Sequence, residues 1–209
     1  MSLVIKDKKG PSFPPIDAGV YSSVCVGVID LGEQYSEAYK KYQDKVIFIW
    51  ELPDVTVEVE GEQKPRWLSK DFSATLNTKS KLSEFLVQWR GKPFSDGELR
   101  GGFDVSSMLG MGCLLQVIVE EKDGRQFNRI TGVMGFPSGM EAPTTSSELL
   151  LFDMDTWEES VLEKVPDWIV ERIRRSTQYQ KKHAPETVIA FPDEITEGTD
   201  GRGEEGKEG

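Results

Sequence analysis

An Asp-Gly pair at residues 123 and 124 lies between two strand-like runs, "QVIVEEK" and "RQFNRITGV". A two-residue type I′ turn needs positive φ at both central positions, and Asp-Gly tolerates that conformation well. The pattern predicts a tight antiparallel hairpin over residues 116–133. Its second arm carries Arg125, Phe127 and Arg129 at every other position, and alternate residues of a strand share a face. Two cations and an aromatic ring lined up in this way raise the question of what that face meets.

The rest of the chain supplies three more strands and a helix. Residues 20–31, "VYSSVCVGVIDL", form a long β-branched run, with Gly27 inside it marking a bulge or bend. "KVIFIWEL", residues 45–52, and "RWLSKDFSATL", residues 66–76, are the next two strands. Between them and the hairpin, Leu82, Phe85, Leu86 and Trp89 recur at i, i+3, i+4 and i+7, which predicts a helix. Thr78 or Ser80 can cap its start, and Gly91 followed by Pro93 ends it. "DVSSMLG" reads as one further helical turn.

The resulting order is β-β-β-α-β-β. A mainly-β fold of this order, with a helix between the third and fourth strands, is a five-stranded OB-fold-like Greek-key barrel. The long bent first strand suits closure of a small barrel, and the helix has one apolar stripe to plug its end. A two-sheet sandwich would need roughly seven strands. The domain organisation read from the sequence is an extended arm at 1–18, an OB-fold nucleic-acid-binding domain at 19–140, a linker at 141–154, helices at 155–183 and an acidic tail at 184–209. Within the helical region, Trp157, Val161, Leu162 and Val165 share one spacing. Trp168, Ile169, Arg172 and Ile173 share a second, in a helix starting at Pro166. Packing of these helices back onto the barrel is favoured over a partner-binding role. The tail from Asp193 is Gly, Glu, Asp and Thr, a composition expected to remain disordered.

Composition narrows the functional classes. No apolar run reaches the length of a membrane span and no leader precedes the first strand, so a cytoplasmic protein without a membrane partner is expected. Cys25 and Cys113 lie in apolar runs and read as buried thiols. With one histidine, His183, and two scattered cysteines, a zinc site lacks ligands. "GRGEEGK" at 201–207 has the G-x4-G-K spacing but is followed by Glu208 and has no strand before it, so it is not a phosphate loop. No nucleophile–base pairing stands out. The expectation is a protein that is not an enzyme and carries no cofactor.

The net charge is −11, unevenly spread. Residues 193–209 carry seven acids and two bases, whereas residues 62–129 carry eleven bases and nine acids. A mildly basic middle with acidic flanks is compatible with a polyanionic partner. Single-stranded nucleic acid is held by cations on phosphates and by aromatic rings on unpaired bases. On an OB-fold such groups come from the second and third strands and from the loops joining strands one to two and four to five. The candidates are Tyr35, Tyr39 and Lys41 in the first loop, Trp50 in the second strand, and Arg66, Trp67, Lys70 and Phe72 in the third. Lys122, Arg125, Phe127 and Arg129 come from the hairpin. Each has a plainer alternative. Trp50 and Phe72 suit a core, Tyr35, Tyr39 and Tyr42 are also spaced as one face of a short helix, and Arg125 and Arg129 can pair with Glu120 or Glu121.

The stretches "DAGVYSSVCVGVIDLGEQ", "KVIFIWEL", "WLSKDFSATL", "KLSEFLVQWRGKPFS", "ELRGGFDVSSMLGMGCLLQV" and "DGRQFNRITGVMGFPSGM" resemble a family of phage and prophage proteins labelled single-stranded DNA-binding or replication-initiation proteins. They span about residues 16–140. The resemblance implies an OB-like fold and sequence-tolerant binding of single-stranded DNA in phage DNA replication or recombination, in a bacterial host cell. The tail lacks the Asp-run-Pro-Phe ending of bacterial single-strand binders. It can compete for a cationic groove or dock phage or host replication proteins. A homodimer through an edge strand or the C-terminal helices is also compatible with the sequence. The competing readings are an acidic protein-interaction module or DNA mimic, and a nuclease on a small β scaffold.

Overall fold

The computed structural model describes residues 13–183 apart from 38 and 60. It is mainly β, a curled antiparallel half-barrel of five strands with a few short helices. The strands are β1 (Gly19–Ser36), β2 (Lys41–Val59), β3 (Glu62–Ser73), β4 (Gly112–Lys122) and β5 (Arg125–Met134). Their spatial order is β3-β2-β1-β4-β5. β1 makes this order possible by changing partners along its length. Residues 19–24 pair with β4, and residues 24–36 pair with β2. The register with β2 slips between Cys25 and Gly27, where the strand bends. A Cβ on Gly27 would stand 2.9 Å from Ile49 Cδ1, so glycine is needed for the two strands to approach.

The Asp-Gly hairpin forms as the sequence predicts. Asp123 and Gly124 have φ of 53° and 72°, and Lys122 faces Arg125 across the turn. The helix between the third and fourth strands, α1 (Lys81–Arg90), also forms as expected. Ser80 Oγ accepts from Ser83 N–H, and Gly91 closes the helix at φ 67°. A short α2 (Asp96–Gly101) follows, held by a Ser95–Glu98 capping box, and Val105–Met108 make a single 3₁₀ turn.

Two apolar cores flank the sheet. Alternate residues on the concave side, among them Val28, Phe48, Trp50, Leu68 and Phe72, pack against Phe85, Leu86 and Trp89 of α1. The helix thereby plugs the curled sheet, and Trp89 Nε1 donates to the Gly112 carbonyl at 3.1 Å. Each of the fully buried large side chains contributes on the order of 1.5–3 kcal/mol. On the convex side, Val26, Ile29, Ile47 and Ile49 are covered by Leu162, Val165, Ile169 and Ile173. The favoured packing of the C-terminal region back onto the barrel is therefore what the structure has.

Other boundaries differ from the sequence reading. β1 and β2 are longer than expected, because the polar stretch at 32–44 is a continuation of the β1–β2 ribbon rather than a loop, and β3 starts earlier because residues 56–59 of β2 pair with residues 62–65. The segment expected as a linker contains β6 (Leu150–Phe152), which pairs in parallel with Gly27–Ile29 of β1. The same segment brings Ser147 Oγ to donate to the buried carboxylate of Glu51. The C-terminal helices are α3 (Glu159–Leu162), α4 (Asp167–Arg174) and α5 (Thr177–Lys182). The single long helix expected from Pro166 is broken because buried Ser176 turns its hydroxyl to cap α5 at Tyr179 N–H. Trp168 lies on the exposed side of α4 and not with Ile169 and Ile173. Among the described residues no helix is long and apolar enough to cross a membrane. The expected acidic tail at 184–209 lies outside the described residues.

Candidate functional site

The two edges of the half-barrel, β3 and β5, come together without forming a ladder. One side chain spans the gap: Lys70 Nζ donates to the Ile130 carbonyl at 2.6 Å. Lys70 points to the concave side because its alternation partners Leu68 and Phe72 are core residues. Its ammonium lies 5.6 Å and 5.5 Å from the ring centroids of Phe72 and Phe85. Burial is the main cause that lowers its pKa, with nearby Arg129 and Lys81 adding to the effect.

Beside this latch the seam opens into a cleft of about 290 Å³. One wall is Arg66, Trp67, Leu68 and Ser69 of β3, and the other is Gln126, Phe127, Asn128 and Ile130 of β5. Phe13 and Pro15, from the segment before β1, complete the lining. A shallower, open depression continues from the cleft over the hairpin tip, past Lys122 and Arg125. Arg66, Trp67 and Phe127 thus line the cleft, Lys122 and Arg125 line the adjoining depression that shares Phe13, Pro15, Gln126 and Phe127 with it, and Lys70 and Arg129 lie outside both linings.

The individual side chains are differently committed. Arg66 Cζ lies 5.1 Å from the Phe13 ring centroid, and its Nε is buried with no hydrogen-bond partner among the described residues. Burial lowers the Arg66 pKa, which leaves a guanidinium charged at neutral pH but poorly solvated. Trp67 leans against the convex core and is half-buried, while Phe127 is exposed. Arg129 pairs with Glu120 at 2.7 Å, on a face both residues share in the β4–β5 ribbon. That exposed pair has the expected plain role, and such pairs contribute at most about 1 kcal/mol.

Two candidates leave the site altogether. Trp50 is fully buried, stacked on Phe48 at 5.7 Å and tilted against Phe85 and Trp89. Phe72 is 4% exposed and packs 4.9 Å from Phe85. Neither ring can stack on an incoming base, because the faces a base would need are filled by the core.

Tyr35, Tyr39 and Lys41 form a second, separate group at the β1–β2 tip. Tyr35 and Tyr42 face each other across the ribbon, edge to face at 5.2 Å, so the helical spacing is coincidental. Tyr35, Tyr39 and Tyr42 are all exposed. The ribbon emerges beyond the Lys45–Ser73 pair, whereas Arg66 pairs with Leu52 at the other end of β3. At about 3.3 Å per residue, the seven-residue offset between those pairs already separates the groups by roughly 20 Å.

The residues the sequence reading overlooked are in the segment before β1 and on the inward face of β5. Asn128 holds Ile16 by both backbone groups: its Oδ1 accepts from Ile16 N–H at 2.9 Å, and its Nδ2 donates to the Ile16 carbonyl at 2.8 Å. The available signal was the phenylalanine in "PSFPPI", a large apolar residue in a proline-stiffened stretch with no strand of its own to pack in.

Among the described residues, no three His, Cys, Asp or Glu side chains converge as a metal site would require. The thiols are unsuited to nucleophilic chemistry. Burial raises the pKa of Cys25 and pushes that of Cys113 up to about 12. In comparisons with known proteins, no family model, no curated protein and no solved structure matches this chain.

Proposed function

We propose that this chain is an OB-like, sequence-tolerant single-stranded DNA-binding protein that takes the unpaired strand along the β3–β5 seam. The observation that carries the reading is the convergence of Arg66, Trp67 and Phe127 on one cleft, with Lys122 and Arg125 on its continuation. Flat rings and cations side by side are what binding without base readout needs, each stacked base contributing about 1–3 kcal/mol. The strand order, the helix plugging the sheet and the meeting of β3 with β5 support the OB-like assignment. The buried, unpartnered Arg66 Nε supports an oxygen-rich ligand, because such a donor gains most from an acceptor delivered into the cleft. The proposed setting is phage DNA replication or recombination, in keeping with the sequence resemblance across residues 16–140.

Titration with a poly-dT oligomer, followed by tryptophan fluorescence, tests the reading. Trp67 lines the cleft and supplies the signal. The expected result is quenching, with an affinity that falls as salt rises by about 0.7 logarithmic units per tenfold salt for each phosphate neutralised. Replacement of Arg66 by Ala should weaken binding. Absence of quenching at low salt, with or without residues 184–209, would sink the reading and favour a protein partner instead.

A further inference from the structure

We propose that Phe13, anchored through Ile16, is a resident occupant of the cleft that an incoming strand must displace. The inference rests on the single-strand-binding reading of the same site. Phe13 presents a flat ring to the Arg66 guanidinium, 5.1 Å from ring centroid to Cζ, which is the place an unpaired base would take. Pro14 and Pro15 follow it along the cleft and its continuation, and stiffen the segment so that little entropy is lost on docking. The fixing point is the double hydrogen bond between Asn128 and the Ile16 backbone. Tyr21 Oη, donating to the Asp17 carbonyl at 2.7 Å, steadies the return into β1.

The contact is built to be reversible. Phe13 is only partly buried, and it is itself a member of neither core. The seam contact leaves Arg66 Nε without an acceptor, so the docked ring satisfies the cation less completely than a phosphate or base oxygen would. A protein whose competent state is partly masked binds with an apparent affinity reduced by the unmasked fraction. The strap therefore sets the affinity of the cleft and keeps an exposed cation–aromatic surface covered until a strand arrives.

The test compares the full chain with F13A, N128A and R66A, by dT-oligomer titration and by hydrogen exchange at the Ile16 amide. F13A should bind roughly two- to fivefold more tightly than the unaltered protein, the range expected for releasing one cation–aromatic contact. N128A should accelerate Ile16 exchange with no DNA present, and saturating oligomer should accelerate it in the unaltered protein. Weaker or unchanged binding by F13A would overturn the strap, while binding by the unaltered protein with loss in R66A would leave the single-strand reading intact. Ile16 exchange that is slowed by oligomer, or unaffected by N128A, would also overturn it. Failure of every variant to bind would overturn the single-strand reading and displacement together.

Discussion

Lys70 Nζ reaches across the seam to the Ile130 carbonyl at 2.6 Å and so joins β3 to β5 at a place where no backbone ladder does. The sheet has curled far enough for its edges to meet, yet a side chain completes the contact. The consequence is a gap beside the latch, and that gap is the cleft.

Replacing Lys70 by Met removes the latch ammonium, which lies over Phe72 and Phe85, while keeping an unbranched side chain at the position. The expected loss is about 1 kcal/mol at neutral pH, the usual net value of one hydrogen bond. The pH profile is more telling. Burial lowers the folded-state pKa below the 10.5 of an unperturbed lysine. In the window between the lowered value and 10.5 the unfolded chain holds more protons, so this group makes stability rise with pH. Denaturant melts of both proteins across that window should show the rise in the unaltered protein minus K70M difference. A flat difference would mean that Lys70 is solvated.

Gly27→Ala tests the bend in β1. The added methyl would meet Ile49 Cδ1 at 2.9 Å and Ile49 Cβ at 3.1 Å. Ile49 is itself buried against the convex core and has little room to move. Overpacking of this kind costs about 1–3 kcal/mol, which a thermal melt would register as a clear drop. An unchanged melting temperature would show that the ribbon can shift at the bulge.

Ser176→Ala addresses the break between α4 and α5. The Ser176 hydroxyl donates to the Ile173 carbonyl at 2.7 Å and accepts from Tyr179 N–H at 3.1 Å, so it ends one helix and starts the next. Loss of such a cap costs about 1 kcal/mol. Hydrogen exchange should speed up in α5 while the α1 amides stay protected. Uniform acceleration throughout the chain would instead point to global destabilisation.

How much of this was legible in the sequence depended on range. The Asp123-Gly124 turn and the limits of α1, where Ser80 rather than Thr78 is the cap and Gly91 the end, are set by residues within a few positions of each other, and both form. For Trp50 and Phe72 the sequence leaves both a core and a binding role open, because alternation shows that two residues share a face but not which face is covered. Only the packing of α1 settles that. β6 was missed for a related reason. Three apolar residues become a strand only because Gly27–Ile29 of β1, more than a hundred positions earlier, offers them an edge. The Asn128–Ile16 contact is 112 residues apart in sequence and involves two residue types with no distinguishing pattern.

The separation of Tyr39 from the cleft gives a prediction about strand length. Phe127 lines the cleft, while Tyr39 stands at the exposed β1–β2 tip, at the opposite end of the seam from Arg66. Loss of one stacking ring removes about 1–3 kcal/mol. F127A should therefore weaken short and long dT oligomers alike, by roughly five- to 150-fold. Y39A should leave a short oligomer that fills only the cleft unaffected, and weaken a long one that reaches the tip. Equal sensitivity of short oligomers to both substitutions would mean that the strand is bound at the tip rather than in the seam. Insensitivity of long oligomers to Y39A would confine the interface to β3 and β5, because every oligomer would then end its contacts before the Tyr35–Tyr42 pair.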